Sequence, residues 1–274
     1  MRASVLPSSV MHVVRALLVV AAVLAGGGIV SAADRPDPLA RARTLYNQGD
    51  FSGALAAVDE ARSVARPDAA DLIAARAYLE RFRESANADD LTNARDLLRR
   101  VDTRQLSPLE RSELVIGLGE TLYFDDAPGA AAQLFDTVLE RGDLAPAARE
   151  RVVDWWASAL DTDARPRSDF ERQAIYQRIR DRMRHELAAS PGSGPAAYWL
   201  AAAARGQGDL QAAWDAAQAA WVIAPLSSDR GAALRGDLER LMQRAIVPER
   251  ARALAQPADT LRDEWERFKE RWNH

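Results

Sequence analysis

The sequence predicts an all-α fold, with about five antiparallel helix pairs stacked as a solenoid over residues 34–226 and capping helices over residues 227–274. No stretch alternates apolar and polar residues as a half-buried strand does. Amphipathic runs of helical period instead alternate with loops rich in Pro, Gly, Ser and Asp. Aspartates that open such runs recur about every 40 residues, a spacing typical of units that must stack to bury their apolar faces. They are Asp50, Asp90, Asp126, Asp169 and Asp209.

Residues 1–33 are predicted to be a secretory signal peptide. Basic residues precede an uncharged apolar run, which ends in small residues at Ala32 and Ala33. Met11 is an alternative start that leaves a signal of ordinary length. We therefore expect an exported, periplasmic protein without stable membrane insertion after cleavage. The alternative is an uncleaved helix that anchors the chain in the inner membrane, because the uncharged run approaches the shortest spanning length.

The clearest helix pair lies between Gly194 and Pro225. Gly208 suits the left-handed end of the first helix, and Asp209 suits the cap of the second. Pro225 stops the second helix because it has no N–H group to donate. Small and apolar residues at helical spacing allow the two helices to pack closely: Leu200, Ala201, Ala204, Leu210, Ala213, Ala217 and Ala220.

This pattern resembles the tetratricopeptide repeat (TPR), a helix–turn–helix unit of about 34 residues. Good copies also surround Asp50 and the Leu118-Gly119 pair, whereas the second and fourth copies are inferred from spacing. The resemblance covers roughly residues 36–226. It implies that the first helix of each pair lines a surface for a protein or peptide partner. Repeat positions carried over from the family place these residues in that groove: Arg43, Tyr46, Asn47, Glu120, Tyr123, Phe124, Tyr198 and Arg205.

The residues supply no constellation for catalysis, a cofactor or a metal. There is no cysteine, so thiolate ligands and thiol nucleophiles are excluded. His185 is expected on the polar side of a helix, without a nucleophile or an orienting group in the sequence around it. Asp161-Thr162-Asp163 fails the calcium-loop pattern at its third ligand and its glycine, and Gly117-Leu118-Gly119 has no preceding strand or lysine. We therefore expect no enzyme.

The charge balance also excludes one class of partner. The formal net charge is −4, which argues against non-specific nucleic-acid binding. Lys269 is the single lysine of the sequence, so the TPR subclass that grips a carboxylate with paired lysines is not supported.

The C-terminal region is predicted to cap the solenoid. One helix carries Leu234, Leu238 and Leu241 and is expected to break near Pro248. A final helix carries an apolar stripe formed by Leu261, Trp265, Phe268 and Trp272. Such a stripe with a charged opposite face suits a terminal cap. The alternative is that it docks a partner or lies on a membrane surface. The remaining tryptophans are expected in the core rather than on a sugar-stacking surface: Trp155, Trp156, Trp199, Trp214 and Trp221.

Together these observations predict a non-enzymatic scaffold or adaptor that mediates protein–protein interaction in the cell envelope. Two alternatives remain open. One is a solenoid that binds a small ligand or glycan, or serves as an accessory subunit of an envelope enzyme. The other is a structural repeat protein that assembles with copies of itself.

Overall fold

The computed structural model describes residues 37–142 and 144–272, and it confirms the all-α fold. Those residues form helices and loops without a strand. The signal peptide predicted over residues 1–33 lies outside the described residues. Contacts divide the described chain into two compact units between Phe124 and Asp125. We call these the N-terminal unit (residues 37–124) and the C-terminal unit (residues 125–142 and 144–272), and the boundary predicted after residue 226 falls inside the second.

The N-terminal unit holds five α-helices and one short 3-10 turn at Thr103–Gln105. Helices α1 and α2 pack on each other, as do α3 and α4, while α3 also contacts α5. The helices are α1 (Ala40–Asn47), α2 (Phe51–Ala61), α3 (Pro67–Ser85), α4 (Ala88–Arg100) and α5 (Pro108–Phe124).

The C-terminal unit holds the remaining helices. Helices α6 and α7 pack together, and α9 contacts α7, α8, α10 and α11. The helices are α6 (Pro128–Leu139), α7 (Pro146–Ala164), α8 (Asp169–Ala189), α9 (Gly194–Gly206), α10 (Leu210–Ile223), α11 (Ala232–Leu241), α12 (Val247–Leu254) and α13 (Ala258–Trp272). None of the described helices is both long and apolar enough to cross a bilayer.

Prolines start many of these helices. Pro67, Pro128 and Pro146 occupy the first helical position of α3, α6 and α7. Proline fits there because its ring fixes a helical φ and the N–H it lacks would have no intrahelical acceptor. At α5, the Glu110 carboxylate accepts from the Ser107 N–H at 2.8 Å, and the Glu110 N–H donates to the Ser107 hydroxyl at 3.3 Å. These two hydrogen bonds form a capping box at the start of α5.

The aspartate caps are confirmed at two positions and corrected at two. Asp50 accepts from the Gly53 N–H at 2.8 Å, and Asp209 accepts from the Ala212 N–H at 3.0 Å. Asp90 and Asp169 instead lie inside the first turns of α4 and α8. The caps there are Asn87 and Ser168, because an amide or hydroxyl one to three residues earlier reaches the free N–H groups first.

The helix pair predicted between Gly194 and Pro225 is confirmed. Helix α9 ends before Gly208, whose φ of +78° is the left-handed value that glycine adopts without strain. Helix α10 ends at Ile223, ahead of a 3-10 turn that contains Pro225.

The break predicted near Pro248 is wrong. Helix α11 continues into α12 through one wide π-helical turn at Met242–Ile246. Pro248 lies at the start of α12, where the wider turn changes the hydrogen-bond pattern that a proline would otherwise interrupt. The chain therefore remains helical from α11 to the end of α12.

The predicted burial of tryptophan is confirmed. Exposure is at most 7% for Trp155, Trp156, Trp199, Trp214 and Trp221. On α13, Trp265 is 1% exposed and packs against Trp214 and Trp221 with ring centroids 6.1 and 5.5 Å away. Leu261 and Phe268 join the same core, whereas Trp272 is 48% exposed. The apolar stripe of α13 thus covers the C-terminal helices, as a terminal cap does.

Candidate functional site

The residues predicted to line a groove fall into two groups, one in each unit. Helices α1 and α5 of the N-terminal unit carry Arg43, Tyr46, Asn47, Glu120, Tyr123 and Phe124. Helix α9 of the C-terminal unit carries Tyr198 and Arg205.

In the N-terminal unit, Tyr46 and Glu120 belong to a cluster centred on Arg76 of α3. The Arg76 guanidinium lies 4.9 Å from the centre of the Tyr46 ring, and its Nη1 is 3.5 Å from the Glu113 carboxylate. Burial lowers the pKa of Arg76, but Tyr46, Glu113, Glu120 and Glu80 together raise it above its usual value. Arg76 therefore remains charged, and its charge is used to hold α1, α3 and α5.

The other predicted residues of this unit are dispersed or covered. Arg43 is half-buried and pairs with Asp37, and Asn47 is exposed. Tyr123 is 9% exposed. Phe124 packs edge-on against Phe82, with ring centroids 4.8 Å apart. Tyr123 and Phe124 thus contribute mainly to packing, and replacing them with alanine would test stability rather than binding.

Every buried carboxylate of the N-terminal unit interacts with an arginine. Asp71, for example, accepts from Arg62 at 2.8 Å and from Arg100 at 2.7 Å. Glu110 accepts from Arg66 at 2.5 Å, and the pKa of Glu110 is held below its usual value because burial is outweighed by Ser107 and Arg66. The remaining pairs are Glu80 with Arg83, Asp90 with Arg81, and Glu120 with Arg76.

The C-terminal unit presents a different arrangement on α7, α9 and α11. We define the acidic face as the following half-buried or buried residues: Glu150, Asp154 and Asp161 of α7, Tyr198 and Arg205 of α9, and Asp237 of α11. Tyr198 interacts electrostatically with Asp237, Asp154, Asp161 and Arg205, so the side chains of all three helices meet around it.

Two carboxylates of the acidic face, Asp237 and Glu150, have raised pKa values. The pKa of Asp237 is raised to about 6, mainly by burial and also by Asp154, while Arg240 opposes the shift. Burial also raises the pKa of Glu150, and Asp229 adds to that shift. The pKa of Tyr198 is raised for the same reasons, so its hydroxyl stays protonated and can donate a hydrogen bond. The face is anionic and partly shielded from water.

Specific contacts hold the face in place. Asp154 accepts from the Trp199 indole N–H at 2.7 Å, which joins α7 to α9. Arg205 binds Glu249 of α12 through its Nε and Nη2.

Glu249 follows Asp237 by twelve residues, which would place it about 120° away around a regular α-helix. The π-helical turn adds a residue and brings Glu249 to the side that Asp237 occupies.

Tyr176 and Asp161 link α8 to this face. The Tyr176 hydroxyl donates to the Asp161 carboxylate at 2.8 Å. A Cβ atom at Gly206 would come within 2.4 Å of the Tyr176 ring. Glycine at 206 therefore permits the close approach of α8 and α9 that positions this hydrogen bond.

The repeat pattern in the sequence did not predict most residues of the Arg76 cluster or of the acidic face. Arg76 lies in the second copy, whose consensus is weak, and Asp237 lies beyond the recognised copies. Glu150, Asp154 and Asp161 do leave a signal, because their spacing puts acidic groups near one side of an otherwise apolar helix.

Two other features considered in the sequence are His185 and Gly117. His185 is exposed on α8, as predicted. Within residues 37–142 and 144–272, no group of three or more His, Cys, Asp or Glu side chains is arranged to hold a metal ion. Gly117 lies inside α5, where a Cβ atom would be 3.3 Å from Leu98 of α4. The absence of a side chain at Gly117 therefore allows α4 and α5 to pack closely. Comparison of the chain with protein-family models, curated proteins and solved structures gives no match.

Proposed function

We propose that this protein is a non-enzymatic, TPR-like scaffold or adaptor of the cell envelope that binds a protein partner on the acidic face. One observation carries the proposal. Carboxylates from α7 and α11 converge around Tyr198 of α9, and part of the negative charge of the face forms no ion pair among the described residues. Glu150, for instance, interacts with the Ser193 side chain but forms no ion pair among the described residues.

The charge of the face defines the chemistry of the partner. A segment with basic side chains would neutralise Glu150, Asp154 and Asp237, and Tyr198 would add an aromatic contact of the kind enriched at interfaces. Complementary charge speeds association and suppresses wrong partners more than it adds affinity. We therefore expect binding to weaken as salt increases.

The test compares two charge reversals. Affinity capture from an envelope fraction identifies a candidate partner, and its binding to each purified variant is then measured by calorimetry. Glu150→Lys should weaken binding at least about tenfold, because it places a cation on the acidic face. Glu264→Lys makes the same change in net charge on the exposed side of α13 and should bind as the wild type does.

Other outcomes decide against this function. Equal binding by both variants would refute the assignment to the acidic face. Co-purification of a glycan or small ligand without a polypeptide would favour the ligand-binding alternative. Self-association that grows with concentration in sedimentation experiments, with no other partner, would favour the self-assembling repeat.

Export is a separate part of the proposal. The sequence of residues 1–33 supports it, and N-terminal sequencing of the protein from the periplasmic fraction should begin at Ala33 or Asp34. A membrane-bound protein that retains Met1 or Met11 would support the anchored alternative.

A further inference from the structure

Arg205 is the only basic residue among the six that define the acidic face. It lies in the last turn of α9, and its side chain is 39% exposed. Arg205 interacts electrostatically with Asp161, Tyr176 and Tyr198, so its guanidinium lies close to the acids of the face. An arginine in this position would bind those acids unless another group held it.

The group that holds Arg205 is Glu249, which lies outside the defined face. The Nε of Arg205 is 3.1 and 3.0 Å from the two carboxylate oxygens of Glu249, and Nη2 donates to one of them at 2.5 Å. These hydrogen bonds raise the pKa of Arg205, while burial opposes the shift. Among the described residues, the Arg205 side chain forms no hydrogen bond with a carboxylate of the acidic face. The pair with Glu249 is neutral, so it leaves the charge of the face negative.

Asp161 is the carboxylate that Arg205 would bind if Glu249 were absent. After Glu249, Asp161 is the carboxylate that acts most strongly on Arg205. Asp161 already pairs with Arg165, but a carboxylate has lone pairs for several donors. Binding of Arg205 there would bring a further positive charge onto the acidic face.

The position of Glu249 depends on an uncommon helix geometry. The π-helical turn at Met242–Ile246 adds one residue ahead of Glu249, which rotates it by about 100° relative to an unbroken α-helix. On the unbroken helix its carboxylate would point away from Arg205. Such turns are frequent at functional sites, and here the turn brings a carboxylate to the cation of the acidic face.

We propose that Glu249 is a positioning residue that keeps the charge of Arg205 off the carboxylates of the acidic face. Removing Glu249 releases Arg205 to Asp161, makes the face less negative and weakens the binding of a basic partner. The inference rests on the proposed function, in which those carboxylates bind the partner. A pair that only joined α9 to α12 would behave differently, because the loss of either member would then affect binding equally.

Calorimetry on the purified protein tests the pair, with acetylated and amidated tetra-arginine as the basic probe. Glu249→Ala should weaken binding at least about threefold, because the face gains a cation. Arg205→Gln breaks the same pair but should not weaken binding, because the face then loses its cation. The double variant should bind within about twofold of the wild type, since the arginine that Glu249 restrains is gone. Glu264→Ala, the matched control, removes an exposed acid of α13 and should bind as the wild type does.

A crystal structure of Glu249→Ala shows directly where the Arg205 guanidinium goes. We expect it within hydrogen-bond distance, about 3 Å, of an Asp161 oxygen. An Arg205 side chain that keeps its wild-type position or extends into solvent would overturn the proposal whatever the binding data show. Two binding results would overturn it as well: a double variant as weak as Glu249→Ala, or an equal loss in Arg205→Gln and Glu249→Ala.

Two further variants separate this inference from the proposed function and from misfolding. If Glu150→Lys binds the probe as the wild type does, the acidic face is not the binding site, and the proposed function fails. The position of Arg205 in Glu249→Ala still decides whether Glu249 restrains it. If circular dichroism shows that Glu249→Ala is unfolded, Glu249→Gln replaces it, because it keeps the shape and loses the charge. It too should bind more weakly and be rescued by Arg205→Gln, and unchanged binding would refute the proposal.

Discussion

Buried acids of the N-terminal unit and those of the acidic face in the C-terminal unit have different surroundings. In the N-terminal unit, arginines accompany the buried carboxylates, and the pKa of Glu110 lies below its usual value. On the acidic face of the C-terminal unit, Asp237 lies near Asp154 as well as Arg240, and burial raises the pKa values of Asp237 and Glu150. Acidification should therefore remove stability from the first arrangement and restore it to the second.

Under the proposed function, this difference separates charges that stabilise the fold from charges that a partner would contact. A buried carboxylate held by arginine stabilises its own fold, and its loss leaves the arginine and backbone donors unpaired. Carboxylates that repel one another cost the free protein stability, and a cationic partner would relieve that cost on binding. The acidic face is therefore a better candidate for a binding surface than the N-terminal groove residues Tyr123 and Phe124.

The largest expected effect comes from Glu110→Ala in the N-terminal unit. The change removes the acceptor for Ser107 and Arg66 and opens the cap of α5. We expect a loss of about 3 kcal/mol in the free energy of unfolding at pH 7, measured by urea denaturation. Because the folded-state pKa of Glu110 lies below its usual 4.5, the contribution is complete above that pH and is lost as the pH falls through the folded value.

The control for this change is the exposed pair of Arg41 and Glu60, which also joins an arginine and a glutamate at 2.6 Å. Glu60→Ala should change the free energy of unfolding by less than about 1 kcal/mol, because solvent screens the pair. Equal losses in the two variants would contradict the assignment of a structural role to buried pairing.

Asp237→Asn in the C-terminal unit should change the pH dependence in the opposite sense. The folded-state pKa of Asp237 is about 6, above the usual 3.8. Its contribution to stability is therefore full below the unfolded value and is lost as the pH rises through about 6. An asparagine does not titrate, so the variant should gain about 2 kcal/mol relative to wild type between pH 4 and pH 7. Urea denaturation across that range measures the difference.

Two further variants identify the cause. Asp154→Asn removes one of the charges that act on Asp237, so the loss of stability should move to lower pH. Asp263→Asn deletes an exposed charge of α13 and should leave the pH profile unchanged. If Asp263→Asn reproduced the effect of Asp237→Asn, net charge rather than the acidic face would be responsible.

The fold could be predicted from the sequence because its signals are local. Pro128 and Pro146 start helices, and Asp50 and Asp209 cap them through side chains that act within one turn. The errors arose where two local signals compete. Ser168 reaches the free N–H groups of α8 before Asp169 can.

The charged clusters could not be predicted in the same way, because they join residues distant in sequence. Tyr198 was identified by its repeat position, but nothing local relates it to Asp154 or to Asp237. The π-helical turn also changes the phase of α12, so a regular helical wheel places Glu249 on the wrong side. Pairing of this kind depends on helix packing, which a periodic pattern does not specify.

The smallest expected effect, Gly236→Ala, separates charge from helix stability on the acidic face. Gly236 precedes Asp237 in α11, and a Cβ atom there would be 3.5 Å from Nη1 of Arg240, which is ordinary van der Waals contact. Alanine restricts the unfolded chain and favours the helix, so we expect a gain of about 0.5–1 kcal/mol. No ionisable group changes, so urea denaturation should give the same gain at pH 4 and pH 7. A gain that appeared only at pH 7 would mean that repacking of α11, rather than the charge of Asp237, controls the pH dependence of this unit.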